Sequence, residues 1–262
     1  MRVVSLLYHD VVPPGDFECS GFPGGDAAIY KLELSEFEKH LTAIHNVIDR
    51  PTTISDFARS NGRPTLLTFD DGGSSARTCI VDLLGALGWR AHFFVTTNWI
   101  GQRGFLSSTQ IRDLRARGHI IGTHSCSHPP RMSYCGRSEL RQEWSDSIAV
   151  LSDILGETVD IASVPGGYYA RNVAEAAAEC GIRTLFNSEP RISSHIVNGC
   201  LVLGRFTVQQ GIPPQTVASI AAGKVGSRFR QFAYWNIKKI AKTAGGTYWL
   251  RMRKWVLDKE MQ

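Results

Sequence analysis

No stretch of this sequence approaches the ~18 to 20 consecutive apolar residues that a membrane-spanning helix needs. Residues 1–7 are too short and too strand-like to serve as a secretory leader, so the expectation is a cytoplasmic chain. Cysteine is sparse: Cys19, Cys79, Cys126, Cys135, Cys180 and Cys200 are scattered, with no CxxC pair. That argues against a disulfide framework and a thiolate zinc site, and leaves thiols that are mostly reduced. There is no repeat of fixed period and no low-complexity tract, which sets aside solenoids and disordered linkers.

What is present is ordinary globular composition, 43% hydrophobic and 20% charged, over 262 residues with 25 glycines. α/β barrels of this length commonly form one domain around one core. Charge is unevenly placed. Residues 224–262 hold ten Lys or Arg against two Asp or Glu, a tail of +8 on a body of −3 that sum to the +5 of the chain. The expected division is therefore a catalytic barrel over 1–223 and a basic amphipathic helical tail over 224–262.

Along the body, short apolar runs alternate with helical patterns. Strands are expected at 3–8, 65–69, 91–96, 120–123, 160–164, 183–186 and 201–208. Helices are expected at 35–47, 74–87, 109–117, 138–155 and 171–180. Ser35 with Glu38, and Ser107 with Gln110, have capping-box spacing; Gly118, Gly156 and Gly181 are the stops. Repeated βα units imply a parallel sheet or barrel whose function gathers at the loops after the strand C-termini.

Two such loops carry chemistry. Asp70 and Asp71 follow one strand directly, ahead of Gly72 and Gly73. Taken alone they fit a solvated turn. Adjacent acids are also tolerable where a cation neutralises one and leaves the other to accept a proton from water. The second loop, His124-Ser125-Cys126-Ser127-His128, follows another strand. Two histidines four apart share a face if the segment is one helical turn, and both imidazoles can then reach one ion. Two imidazoles and a carboxylate form the nitrogen and oxygen set of catalytic zinc or a similar divalent ion, with Cys126 as a packing residue.

Leu67-Thr68-Phe69-Asp70-Asp71-Gly72 and His124-Ser125-Cys126-Ser127-His128 resemble the first two motifs of the polysaccharide deacetylase family, in order and separation. The similarity covers roughly residues 3–206. It implies an α/β fold, a distorted, incomplete (β/α) barrel of about seven parallel strands. It also implies zinc, or another divalent metal such as cobalt or nickel, held by Asp71, His124 and His128, with Asp70 as general base. Water would attack the acetamide carbonyl of an N-acetylated sugar or glycan while a backbone N–H steadies the oxyanion.

The sequence departs from the family in two places. The late Leu-x-His that supplies the acid is missing, and His195 in Ser193-Ser194-His195-Ile196 does not match it. His9, in Tyr8-His9-Asp10-Val11, resembles the early histidine of one branch and is the candidate acid, with Asp10 to orient it; a strand-end hydrogen-bonding role is the alternative. The third motif, usually Arg-x-Pro, reads Ser163-Val164-Pro165-Gly166-Gly167-Tyr168. Arg205 is the candidate for the missing guanidinium, with a core-edge salt bridge as the alternative. Gly167 is the candidate oxyanion donor, Tyr168 lines the acyl pocket, and Glu189 lies at the end of the barrel where it would touch substrate.

In the tail, apolar residues recur at helical spacing among Arg and Lys, with Trp249 and Trp255 further on. This pattern fits peripheral contact with anionic lipid at the inner face of the membrane, and so a lipid-linked intermediate of exopolysaccharide assembly. Packing on the barrel or on a second subunit is the competing account. No nucleic-acid motif is present and none is expected as a partner. Hydrolysis of another C–N amide, such as a formamide or cyclic imide, and a non-catalytic glycan-binding barrel are the alternative functions.

Overall fold

The computed structural model describes residues 2–59, 64–224 and 226. The expected helical tail therefore lies outside the described residues except at Lys224 and Gly226. Among the described residues eleven strands occur in chain order: β1 (Val4–Tyr8), β2 (Val11–Val12), β3 (Leu32–Glu33), β4 (Thr65–Phe69), β5 (His92–Val95), β6 (Ile120–Thr123), β7 (Ile161–Ser163), β8 (Thr184–Phe186), β9 (His195–Val197), β10 (Cys200–Leu203) and β11 (Phe206–Thr207). The helices are α1 (Gly25–Ala28), α2 (Leu34–His45), α3 (Val81–Ala86), α4 (Ser108–Ala116), α5 (Arg137–Leu155), α6 (Arg171–Glu179) and α7 (Pro214–Ala221).

Nine strands form one sheet in the order β11-β1-β4-β5-β6-β7-β8-β10-β9, and β2 pairs with β3 apart from it. Every pairing in the large sheet is parallel except that of β9 with β10. The edges β11 and β9 are not joined, so the barrel is incomplete, as expected. The strand count differs from the seven expected. The single strand foreseen over 201–208 is two, β10 and β11, broken at Gly204 and Arg205. A Cβ on Gly204 would stand 2.3 Å from the carbonyl oxygen of Glu189, so only glycine lets the chain turn there.

Strand side chains alternate between faces, and the alternation sorts the interior. Leu67 and Phe69 of β4 join Tyr8, Phe93 and Ile121 in the large cluster that packs beneath the helices. Leu66, Phe94, Ile161, Phe186 and Leu203 form a separate, smaller cluster with Val3. Continuing the Leu66 face toward the strand ends gives Thr68 and then Asp70; Phe94 leads to Thr96; Ile161 leads to Ser163; Leu203 leads to Arg205. The inner face thus passes from an apolar floor to a polar, chemically active rim. Gly122 belongs to this packing, since a Cβ there would meet the Phe94 ring at 2.6 Å.

Local signals held unevenly. Ser107 and Gln110 make both capping-box hydrogen bonds at α4. The Ser35–Glu38 box does not form: α2 already begins at Leu34 with Glu33 as its N-cap, so Ser35 has helical backbone and is past the capping position. The helix expected at 74–87 is a π segment, Ala76–Ile80, running into α3. All six cysteines are free. Among the described residues no helix is long and apolar enough to cross a membrane.

Candidate active site

Asp70 and Asp71 leave the C-terminal end of β4, with the Asp70 N–H donating to the carbonyl of Tyr8 on neighbouring β1 at 3.0 Å. Asp70 is 4% exposed and is held by two groups that converge from distant strands. Arg205 grips it bidentately, Nη1 to Oδ1 at 2.7 Å and Nη2 to Oδ2 at 2.8 Å. Ser163 Oγ accepts from Arg205 Nη2 at 2.7 Å and donates toward Asp70 at 3.1 and 3.2 Å. Ser163 stands where the family's third motif has its arginine. Arg205 is fully buried, donates also to Thr68 Oγ1 at 3.2 Å and to the carbonyl of Asn187 at 3.1 Å, and has its head over the Phe94 and Phe186 rings. Burial pushes the Asp70 carboxyl up, but the charge and hydrogen bonds of Arg205 work against it, and the carboxyl is held below the ordinary carboxylate value.

Asp71, His124 and His128 each offer one ligand atom, and the three atoms lie within 4.8 Å of one another. His124 Nε2 is 3.4 Å and His128 Nε2 3.5 Å from the same oxygen, Asp71 Oδ1. His124 Nδ1 donates to the Ser163 carbonyl at 3.1 Å, which leaves the lone pair of the neutral ring on Nε2, facing a carboxylate oxygen. Two acceptors turned toward one another need a proton or a cation between them, so this donor set fits a divalent metal with nitrogen and oxygen preference. Burial works against the Asp71 charge, yet the two imidazoles hold its carboxyl well below the usual value. For His128, burial lowers the value and the Asp71 contact more than restores it.

The histidine loop is not the helical turn that would put the pair on one face. It is irregular, with Ser125 at φ 66° and His128 at φ 60°. Its shape comes from a residue that the sequence did not bring to notice, Glu143 on α5. The Glu143 carboxylate accepts from the N–H of Cys126 at 2.9 Å, the N–H of Ser127 at 2.8 Å and the hydroxyl of Ser127 at 2.5 Å. Ser125 Oγ accepts from the His128 N–H at 3.1 Å. Asp71 has φ 74°, so among the described residues three of the four non-glycines in the left-handed region stand in this site. Cys126 Sγ turns to Asn98 Oδ1 at 3.1 Å and is not among the three clustered ligands.

The remaining expected residues are distributed around this centre. His9 stacks obliquely on Tyr30, ring centroids 4.8 Å apart, and its Nδ1 is buried without a hydrogen-bond partner. Burial lowers its pKa, against the opposing pull of Asp71 and Asp70. Asp10 does not orient it. The Asp10 carboxylate instead accepts from Ser20 Oγ at 2.5 Å and Ser75 Oγ at 2.6 Å, and pins the glycine- and proline-rich loop to the segment after β4. That loop carries Phe22, whose ring lies 4.8 Å from His128 and 5.1 Å from Trp99. Gly167, at φ 68°, ends a short turn, Pro165–Gly167, and Tyr168 follows it. The Glu189 carboxylate faces Arg191 at 3.6 Å, while its carbonyl accepts the Arg205 N–H at 2.9 Å. His195 sits on edge strand β9 and meets the Tyr169 hydroxyl at 3.2 Å.

Residues 58–185 match the polysaccharide deacetylase family. YxkH of Bacillus subtilis, which carries the same family's name, is 24% identical over 189 residues, covering 70% of this chain and 67% of YxkH. A chitooligosaccharide deacetylase of Sinorhizobium fredii is 29% identical over 174 residues, covering 62% of this chain and 79% of that protein. The fold is shared with the Streptococcus pyogenes deacetylase PplD solved with acetate: TM-score 0.69 at 18% identity, over 82% of this chain and 96% of PplD. Two motifs at the ends of β4 and β6, on either side of β5, a matched sequence span and a common curled sheet lead to one conclusion: the chain belongs to the polysaccharide deacetylase family.

Proposed function

We propose that the chain is a metal-dependent hydrolase that removes an N-acetyl group from a sugar or glycan. The observation that carries this reading is the pairing of a three-ligand cluster, Asp71, His124 and His128, with a second carboxylate, Asp70, kept ionised by Arg205. The similarity to a chitooligosaccharide deacetylase supports the substrate class.

The chemistry that zinc, or a similar divalent ion, supplies when bound to those three residues is Lewis-acid polarisation of a carbonyl and acidification of a water. Asp70 takes the proton as the water oxygen attacks the acetamide carbon. Arg205 and Ser163 fix both carboxylate oxygens, so the base enters each turnover in one orientation. The N–H of Gly167 is the candidate donor to the carbonyl oxygen as it gains charge. The C–N bond then breaks, acetate leaves, and the sugar amine needs a proton. His9 is the candidate donor. Its ring starts neutral at pH 7, so it would pass to the amine the proton that Asp70 has taken from the water, which returns Asp70 to its ionised state.

The alternative of a formamide or cyclic imide substrate drew on two departures from the family, the missing arginine and the missing late histidine. The Arg205 contact weakens the first. The finer reading is a catalytic body over 1–223 whose basic tail, 224–262, brings it to lipid-linked glycan at the cytoplasmic face. It draws only on the charge and aromatic pattern of the tail.

The decisive experiment is acetate release from N-acetylated oligosaccharides by protein stripped of metal and reloaded with zinc, beside Asp70→Asn. Acetate dependent on both zinc and Asp70 is the expected result. No acetate from any substrate, with zinc bound, would overturn the proposal.

A further inference from the structure

Arg131 stands three residues beyond His128 with its guanidinium beside an edge-to-face pair of tyrosines, 5.1 Å from the ring centroid of Tyr134 and 5.6 Å from that of Tyr168. Its Nε and Nη2 are buried and have no hydrogen-bond acceptor. Among the described residues no carboxylate pairs with it. A guanidinium keeps its charge at any physiological pH and has donors but no acceptor. Folded proteins seldom leave such donors without partners. The rings stabilise the charge through their faces but give the buried N–H groups no lone pair to bond.

The place of this cation is defined by both neighbouring site loops. Pro129 and Pro130 join it to His128, and three residues span at most ~11 Å. On the other side, Ser133 N–H donates to the Tyr168 carbonyl at 3.2 Å, and a Cβ on Gly166 would be 3.0 Å from the Pro130 oxygen. The segment is therefore laid against the turn that presents Gly167. Tyr134 is 65% exposed, so this side of the cluster stands open to solvent.

Taking the deacetylase reading as its basis, the geometry points to Arg131 as a recognition site for an anionic substituent, a carboxylate or a phosphate, on a sugar adjacent to the one being deacetylated. A planar fork with two unpaired donors matches the paired oxygens of either anion. The ring of that sugar would lie along the open face of Tyr134.

The test uses the full zinc-loaded chain and three matched N-acetylated oligosaccharides: one neutral, one with a uronic carboxylate on the adjacent sugar, one with a phosphate there. Acetate release gives kcat/KM, and calorimetry with Asp70→Asn protein gives binding independently of turnover. The expected wild-type preference is about ten- to a hundredfold for an anionic substrate over the neutral one. In Arg131→Met the ratio should fall to near one, and in Arg131→Lys, which keeps the charge without the fork, to an intermediate value. Which anion wins identifies the source. Equal treatment of neutral and anionic oligosaccharides by the wild type, or a loss in Arg131→Met that is the same for both, overturns the inference while leaving the deacetylase standing. Arg131-dependent binding of an anionic oligosaccharide without any acetate release would uphold the site and sink the deacetylase.

Discussion

Arg205 lies against Asp70 with two parallel N–H···O contacts, at 2.7 and 2.8 Å, across 135 positions of sequence. Both partners are buried, so neither can be removed without stranding the other. Arg205→Met should destabilise the fold by about 3–5 kcal/mol, because it leaves the Asp70 charge unpaired. Asp70→Asn with Arg205→Met should recover part of that loss, and urea unfolding of the two singles and the double reads the coupling. Additive losses would show that the pair is not the source.

The two aspartates should separate by phenotype. Asp70→Asn should lower acetate release by about 10²–10⁴ while the protein keeps its zinc. Asp71→Asn should lose zinc as well as activity. Metal content by atomic absorption beside turnover distinguishes them, and equal metal loss in both would place Asp70 among the ligands.

Glu143 touches none of the clustered ligand atoms, yet it holds the loop that bears the two histidines. Glu143→Ala frees three donors and should weaken zinc binding about 10- to 100-fold, as loss of an outer-shell support does. A competition titration with a zinc chelator measures this. Unchanged affinity would mean that Ser125 and the backbone suffice.

Acid should weaken the fold through His92. Its Nδ1 donates to the Leu67 carbonyl at 3.0 Å and its Nε2 accepts the Ile54 N–H at 3.0 Å, so both nitrogens are committed in the neutral ring. Burial pushes its pKa down to about 4 from an ordinary 6.5. The unfolded chain binds that proton first as pH falls. The contribution is thus complete above about pH 6.5 and is lost progressively toward pH 4, to a total of about 3 kcal/mol. Urea midpoints between pH 7 and 4.5 should fall less steeply in His92→Gln than in the wild type; parallel slopes would remove His92 as the cause.

The tail makes a separate prediction. Binding to vesicles that contain anionic lipid should be salt-sensitive and should disappear when residues 224–262 are removed. Binding that is unaltered by the deletion would end the membrane reading.

Much of the site was legible because its residues follow strands directly. Asp70, Asp71, His124 and His128 each sit at the end of a run whose apolar character identifies a buried parallel strand, and parallel strands present their C-terminal ends together. The Ser107 box was legible because it is local. What escaped depends on contacts between distant segments. Glu143 is an ordinary helical acid until α5 is packed beside the histidine loop, and nothing in its own surroundings marks it. The division of β10 from β11 was hidden because strand-forming residues flank Gly204 and Arg205 on both sides, and the break is set by the distant Glu189 carbonyl pressed on Gly204. Asp10 was paired with His9 by adjacency, but both lie in the gap between β1 and β2, and the Asp10 carboxylate is taken by Ser20 of the following loop and Ser75 beyond β4.

Ser163 occupies the position from which an arginine would ordinarily reach the base, and the guanidinium that fills the space beside it arrives from the far end of the sheet. The positive charge beside the base is therefore supplied from outside the third motif, by Arg205. A search for that guanidinium confined to the third motif would miss it in this chain, because it is fixed by the folded sheet and not by the spacing of residues around Pro165.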